Sequence, residues 1–213
     1  MNIILFGPPG AGKGTQAQQI VSKHNYFQLS TGDLLRNEVQ KKTDLGKEIE
    51  ETISKGNFVS DEIVNELLKN TIKDLKFRDR IIFDGYPRTV QQSKNLDIIL
   101  KEFDEKIDLI ISLHVPRDIV EKRIKGRVTC GKCNTTLNKF FNEKEINMHP
   151  CGAEYFIKRK DDNSKTLMNR YDIYTQTTKP VIDFLSEKSF FHHIDGTLKI
   201  TEITNKIDTF IDV

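Results

Sequence analysis

Short apolar runs recur along the 213-residue chain, each bounded by turn residues: Ile3 to Phe6, Ile81 to Phe83, Leu109 to Leu113 and Phe190 to Ile194. Strands buried on both faces read this way, because neither side of the pleat is left to water. Between them lie segments of helical period, roughly Lys13 to His24, Val90 to Phe103, Ile119 to Lys125, Leu167 to Glu187 and Ile200 to Phe210. Their alternation predicts an α/β protein whose central parallel sheet is covered by helices, a three-layer core. Two stretches interrupt it. Across about residues 30 to 70 three helical pieces ("DLLRNEVQ", "LGKEIEETISKG", "DEIVNELLKN") follow one another with no strand between them, which predicts an all-helical insert. Across about residues 127 to 163 aromatic and polar positions alternate ("TTLNKFFNE", "AEYFIKRK"), which predicts a small β-rich insert. With no internal repeat, low-complexity tract or flexible linker, the chain reads as one core with two inserts.

Charge narrows the choice of partners. Lys and Arg number 33 against 31 Asp and Glu, a net charge of +2, so no large single-sign field marks a dedicated nucleic-acid binder. No apolar run approaches the roughly 18 residues that a membrane span needs. The N-terminus enters the first apolar run without the basic and hydrophobic regions of a secretion signal, so the expected location is the cytoplasm. No unusual apolar surface calls for an oligomer, and a monomer is expected.

The first strand leads into "ILFGPPGAGKGTQ", residues 4 to 16. A buried strand, a Gly-rich turn and a helix start let successive main-chain N–H groups point into one concavity, where the helix dipole adds positive charge. Gly7, Gly12 and Lys13 fit the phosphate-loop pattern, but position 14, where a magnesium-binding hydroxyl is usual, is Gly14, followed by Thr15. Polyphosphate is the natural occupant, with Lys13 reaching the outer phosphates. A second segment, "RIIFDGYPRTVQQ", residues 80 to 92, puts Asp84 at the end of a buried strand, where an acid can hold Mg²⁺ directly or through water. Four residues on, Arg88 offers a planar fork suited to another phosphate.

Taken together these segments resemble the adenylate kinases, P-loop nucleoside monophosphate kinases. "GPPGAGKGTQ" is that family's own form of the loop, and "STGDLLR" (30 to 36), "DGYPRT" (84 to 89) with Gln92, "KRIKGR" (122 to 127), "RKDDN" (159 to 163) and "DGT" (195 to 197) follow in the family's order. The resemblance implies a P-loop NTPase-like core made of residues 1–29, 60–126 and 164–213. It also implies a helical insert, 30–59, over the acceptor nucleotide and a lid, 127–163, of the bacterial long-lid type over the donor. The implied reaction is reversible: Mg·ATP and AMP give two ADP. Gly10, Ala11, Gly12, Lys13, Gly14 and Thr15 would then cradle the donor phosphates, with Arg123, Arg127 and the main chain of Leu198 also at ATP. Thr31, Arg36, Asn57, Phe58, Val59, Gly85, Tyr86, Pro87, Arg88 and Gln92 would hold AMP, Gln92 and Thr31 reading adenine. Arg159 and Arg170 would span toward the acceptor phosphate, and Lys13, Arg88, Arg123, Arg159 and Arg170 form the catalytic set.

Residue chemistry agrees with this implication. A phosphate acceptor is already anionic, so no general base is needed, and the five histidines lie outside every matched motif. Transfer between two polyanions needs charge neutralisation and exclusion of water. An isolated arginine is more often a solvated helix face, but motif context reverses those odds here. Other acceptor or donor bases, as in a GTP:AMP phosphotransferase or a UMP/CMP kinase, compete within the class; the long lid and the Thr31/Gln92 pair argue against the pyrimidine kinases.

All three cysteines fall in the second insert. Cys130-Gly-Lys-Cys133 is a knuckle that can put two thiolates on one metal, and Cys151 supplies a third. Lids of related kinases often carry the knuckle twice, and Met148 stands where the other cysteine of the second pair would be. His149 is the favoured fourth ligand and Glu154 the other candidate. Structural Zn²⁺ is expected, against the alternative of three buried thiols in a lid held by packing alone. A zinc-ribbon nucleic-acid module built from this knuckle with Lys132, Lys139, Lys158, Arg159 and Lys160 is a remote alternative, opposed by the near-neutral net charge.

Overall fold

The computed structural model describes residues 1–55, 57–74, 78–158 and 164–212. Its elements run β1 (Ile3–Phe6), α1 (Lys13–His24), β2 (Phe27–Ser30), α2 (Thr31–Gln40), α3 (Asp44–Ser54), α4 (Asp61–Asp74), β3 (Ile81–Asp84), α5 (Val90–Lys101), β4 (Leu109–His114) and α6 (Arg117–Gly126). Then follow β5 (Arg127–Cys130), β6 (Thr136–Asn138), α7 (Glu143–Asn147), β7 (Phe156–Ile157), α8 (Ser164–Ile173), α9 (Lys179–Leu185), β8 (Phe191–Asp195) and α10 (Ile200–Ile211).

Five strands form one parallel sheet in the order β2-β3-β1-β4-β8. Alternation along each strand divides the core in two, since successive side chains leave opposite faces. Ile4, Phe6, Ile81, Phe83 and Ile110 meet the insert helices, α5 and α9 through Leu35, Ile49, Leu68, Leu96 and Val181. Ile3, Leu5, Ile82, Leu109 and Ile111 meet α1, α6 and α10 through Ala17, Ile20, Val120, Ile124 and Ile207. With helices on both faces the central strands carry apolar residues at nearly every position, Ser112 in the middle of β4 being a buried polar exception. A separate three-stranded antiparallel sheet, β6-β5-β7, forms in the second insert.

Two features depart from the expected pattern. Strand β2 had no apolar run to announce it: at this sheet edge only Leu29 of Phe27–Ser30 is fully buried. The helix expected over Leu167 to Glu187 is two helices joined by a π-helical turn, Tyr174–Thr178. Here "YTQTTKP" weakens regular bonding: Thr175 and Thr177 hydroxyls bond the carbonyls four residues back, and Pro180 has no N–H to donate. Thr178, in that turn, donates to the Arg88 carbonyl at 3.2 Å and so ties the turn to the loop after β3.

Among the described residues no helix is long and apolar enough to cross a membrane.

Candidate active site and metal centre

The sheet's carboxyl edge opens where β1 and β3 lie side by side, with Leu5 in register with Asp84. From the end of β1 the chain turns through Gly10 (φ +80°) and Gly12 (φ +100°) into α1. Both values suit glycine alone among common residues. Space adds a second constraint at Gly10, where a Cβ would come within 2.8 Å of Ile124.

Lys13 opens α1 and folds back over this loop, its ammonium donating to Gly7 O at 2.8 Å and to Pro8 O at 3.2 Å. The residue keeps some exposed surface, but its ammonium is enclosed by protein. That desolvation lowers its pKa to about 8, with Arg88, Arg170 and Arg127 pushing the same way and Asp84 opposing. Five charged groups from separate parts of the chain therefore meet here. Arg88 is likewise lowered, to about 10, by enclosure first and then by Arg170 and Arg36. An excess of cations held apart from water is an anion site in waiting. Asp84 accepts from the Gln28 amide at 3.0 Å, and Gly14 lies behind the pair, its hypothetical Cβ 3.7 Å from Asp84. Arg123 donates to Ala11 O (3.1 Å) and Gly196 O (2.8 Å), bridging the loop to the turn after β8, where Leu198 packs. Burial holds its pKa below the usual arginine range, against the pull of Asp195.

Beside this cluster is a cavity lined by Thr31, Phe58, Val59, Gly85, Tyr86, Arg88 and Gln92, with Leu35 and Val64. Gly85 takes φ +81°, followed by a cis Tyr86–Pro87 bond. Thr31 donates to Gly85 O at 3.0 Å, and Arg88 Nε donates to the same carbonyl at 2.7 Å. The Arg88 guanidinium also lies over the Phe58 ring, 4.8 Å from its centroid. Arg36 pairs with Asp33 one helical turn before it. Asn57 closes a turn, its N–H donating to Thr52 O. The structure thus brings most of the sequence-derived set to one edge of the sheet, while Arg159 lies outside the described residues. Gln28, Leu35, Asp61 and Val64 went unnoticed in the sequence. Gln28 sits on the strand without an apolar run, and the others are ordinary helix positions until the fold turns them inward.

The adenylate kinase family model matches residues 5–190. The chain belongs to this family. An adenylate kinase of Pelagibacter ubique (strain HTCC1062) is 62% identical over 213 residues, the whole of both chains. One from Enterococcus faecalis (strain ATCC 700802 / V583) is 37% identical over 214 residues, covering 100% of this chain and 99% of its own. A third, from Archaeoglobus fulgidus, is 40% identical over 214 residues, covering 100% and 98%. As an adenylate kinase the chain transfers a phosphoryl group from ATP to AMP, giving ADP.

The kinase also carries a cluster of metal-ligating groups. Donor atoms of Cys130, Cys133, His149 and Cys151 all lie within 4.8 Å of one another. Two tight turns converge to make it. In the first, Asn134, itself left-handed (φ 60°), returns its N–H to Cys130 O; in the second, Gly152 N–H returns to His149 O. His149 Nε2 is 3.1 Å from Cys133 Sγ, and its ring packs edge-on against Phe156. Cys133 is drawn down to about 6, mainly by hydrogen bonding with Thr135, whereas Cys151 is pushed up to about 11, first by its bond with Cys133. Three sulfurs and an imidazole at this spacing suit a tetrahedral structural Zn²⁺. Of the other candidates, Met148 is 82% exposed and Glu154 folds back beside Gly152, outside the cluster.

Proposed function

We propose that the cluster around Lys13 is the transfer site and the adjoining cavity the acceptor site of a Mg·ATP:AMP phosphotransferase. The observation that carries this reading is the meeting of Lys13, Asp84, Arg88, Arg127 and Arg170 beside a glycine-rich loop at one sheet edge. In it the main chain of residues 10–15 and Lys13 hold the donor phosphates. Arg36 and Arg88 hold the acceptor phosphate, and Thr31 and Gln92 face its base. Arg123 and Arg127, where the core meets the lid, attend the donor and its transferred group, Arg170 spans toward the acceptor, and Arg159 would join it. Leu198 offers its carbonyl to the donor base.

Mg²⁺ would be held by the nucleotide and, through water, by Asp84, where it would neutralise phosphate charge and fix its geometry. Asp84 kept in place by Gln28 suits that role. The acceptor oxygen arrives ionised, so the protein's task is to place two polyanions in line, spread cationic charge around the moving phosphoryl, and exclude water. For that, residues 30–59 and 127–163 act as flap and lid over a core of 1–29, 60–126 and 164–213. Zn²⁺ on Cys130, Cys133, His149 and Cys151 would fasten the lid's two turns together, leaving no open position for substrate. The cysteine knuckle is thus a lid staple rather than a nucleic-acid module. A cytoplasmic monomer needs no further element.

To test the reading, purified protein is mixed with ATP, Mg²⁺ and AMP, GMP, CMP or UMP in turn, with an ATP-only control, and products are separated by ion exchange. Rapid ADP formation with AMP and little hydrolysis in the control is the expected result. A pyrimidine preference would remove Thr31 and Gln92 as adenine readers.

A further inference from the structure

The Gln92 amide is held at both ends by groups of fixed hydrogen-bonding sense. Arg88 main-chain N–H donates to its Oε1 at 2.7 Å, and its Nε2 donates to Asp61 Oδ1 at 2.6 Å. A main-chain N–H only donates and a carboxylate only accepts. Turning the amide over would set N–H against N–H at one end and oxygen against oxygen at the other. Gln92 is 3% exposed, so water has little access to the amide itself to replace either partner there. What remains of the amide is one lone pair on Oε1 and one hydrogen on Nε2, on a residue that lines the acceptor cavity.

That sense is a purine code. Adenine presents a 6-amino donor beside the N1 acceptor, and guanine presents a 6-keto acceptor beside the N1–H donor. An amide of one sense matches one of these edges, and the flipped amide matches the other. Asp61 is the first residue of α4 and reaches Gln92, at the start of α5, from a different element.

We propose that Asp61 is a positioning residue that sets base specificity: together with the Arg88 main-chain N–H it locks the amide sense of Gln92, so that the cavity takes a 6-aminopurine nucleoside monophosphate and refuses a 6-oxopurine one. The inference rests on the reading of Gln92 as the residue that faces the acceptor base. Mispairing leaves buried polar groups unsatisfied, which is the strongest form of discrimination a small site can apply.

Asp61→Ala, Asp61→Asn and Gln92→Leu would be compared with the unaltered chain by kcat/KM for AMP and for GMP with Mg·ATP as donor, and by calorimetric Kd for AMP and GMP. Both substrates are measured on one preparation, so any unfolded fraction cancels in the ratio. Asp61→Ala is expected to lower the AMP-over-GMP ratio by about tenfold or more. Asp61→Asn, whose Oδ1 still accepts from Nε2, is expected to stay within about threefold of the unaltered ratio. An unchanged ratio in Asp61→Ala alongside a collapsed one in Gln92→Leu would overturn the lock while leaving the base reader in place. Equal losses in Asp61→Ala and Asp61→Asn would also overturn it, because charge rather than hydrogen-bond sense would then be responsible. A full AMP preference in Gln92→Leu would remove Gln92 from the base site, and the lock with it.

Discussion

Raising the pH from 7 to 9 should weaken ATP binding through Lys13 alone. Its ammonium is desolvated in the loop and surrounded by Arg88, Arg170 and Arg127, which brings its pKa to about 8. A polyphosphate reverses that field and holds the proton, so the bound pKa lies above the free one. The sign follows: the charge contributes fully to affinity below pH 8 and is lost progressively above it, until the bound pKa is reached. At pH 9 about a tenth of the free protein carries the charged lysine, so binding costs about 1.4 kcal/mol of protonation, roughly a tenfold loss of affinity relative to pH 7. Phosphate itself, with a second pKa near 6, does not titrate in this window. Calorimetry in two buffers of different ionisation enthalpy should show about half a proton taken up per ATP bound at pH 8 and close to one at pH 9. Folding stability of the nucleotide-free protein should move the other way. Lys13 binds fewer protons folded than unfolded between about pH 8 and 10.5, so its contribution to stability rises across that window. Binding of unchanged strength at pH 9 with no proton uptake would refute the enclosure of the ammonium.

Arg88→Ala and Arg123→Ala should each lower kcat by about 10²-fold or more with the melting curve nearly unchanged, as expected for groups that act on developing charge; near-normal turnover in either variant removes that arginine from the transfer step. Gln28→Leu strips Asp84 of its 3.0 Å amide partner. The Mg²⁺ concentration giving half-maximal turnover should rise severalfold while KM for AMP holds, and a change in the AMP term instead would place Gln28 elsewhere in the mechanism. Metal analysis of protein purified without chelator should give one zinc per chain. Cys151→Ser or His149→Ala should lower Tm by roughly 5 °C or more, since structural zinc sites contribute several kcal/mol, and equal Tm values with no bound metal would leave the cluster as packing.

Two kinds of information were separable in this chain. Periodicity gave the central strands and most helices, because β1, β3 and β4 are buried on both faces and leave mostly apolar runs, unbroken at Ile3 to Phe6 and interrupted in β4 by Ser112 alone before Leu113. It missed β2, whose place at the sheet edge asks little apolar burial of it, and the π turn at Tyr174–Thr178, which depends on where threonine hydroxyls find carbonyls. The phosphate loop was legible because its chemistry is local: consecutive main-chain groups, glycines and one lysine make the concavity within a few residues.

Partnerships between distant residues were not legible in that way. Gln28 on Asp84 and Asp61 on Gln92 join positions 56 and 31 residues apart, whereas the grouping of His149 with the three cysteines was legible from ligand chemistry and spacing. The sequence by itself determined which residue types were available and the short-range frames that carry them, because period, capping and turn chemistry act over a few residues. Tertiary structure decided which of those side chains meet and in what hydrogen-bonding sense, because a contact between remote residues exists only once the sheet order and the crossing helices have fixed their separation.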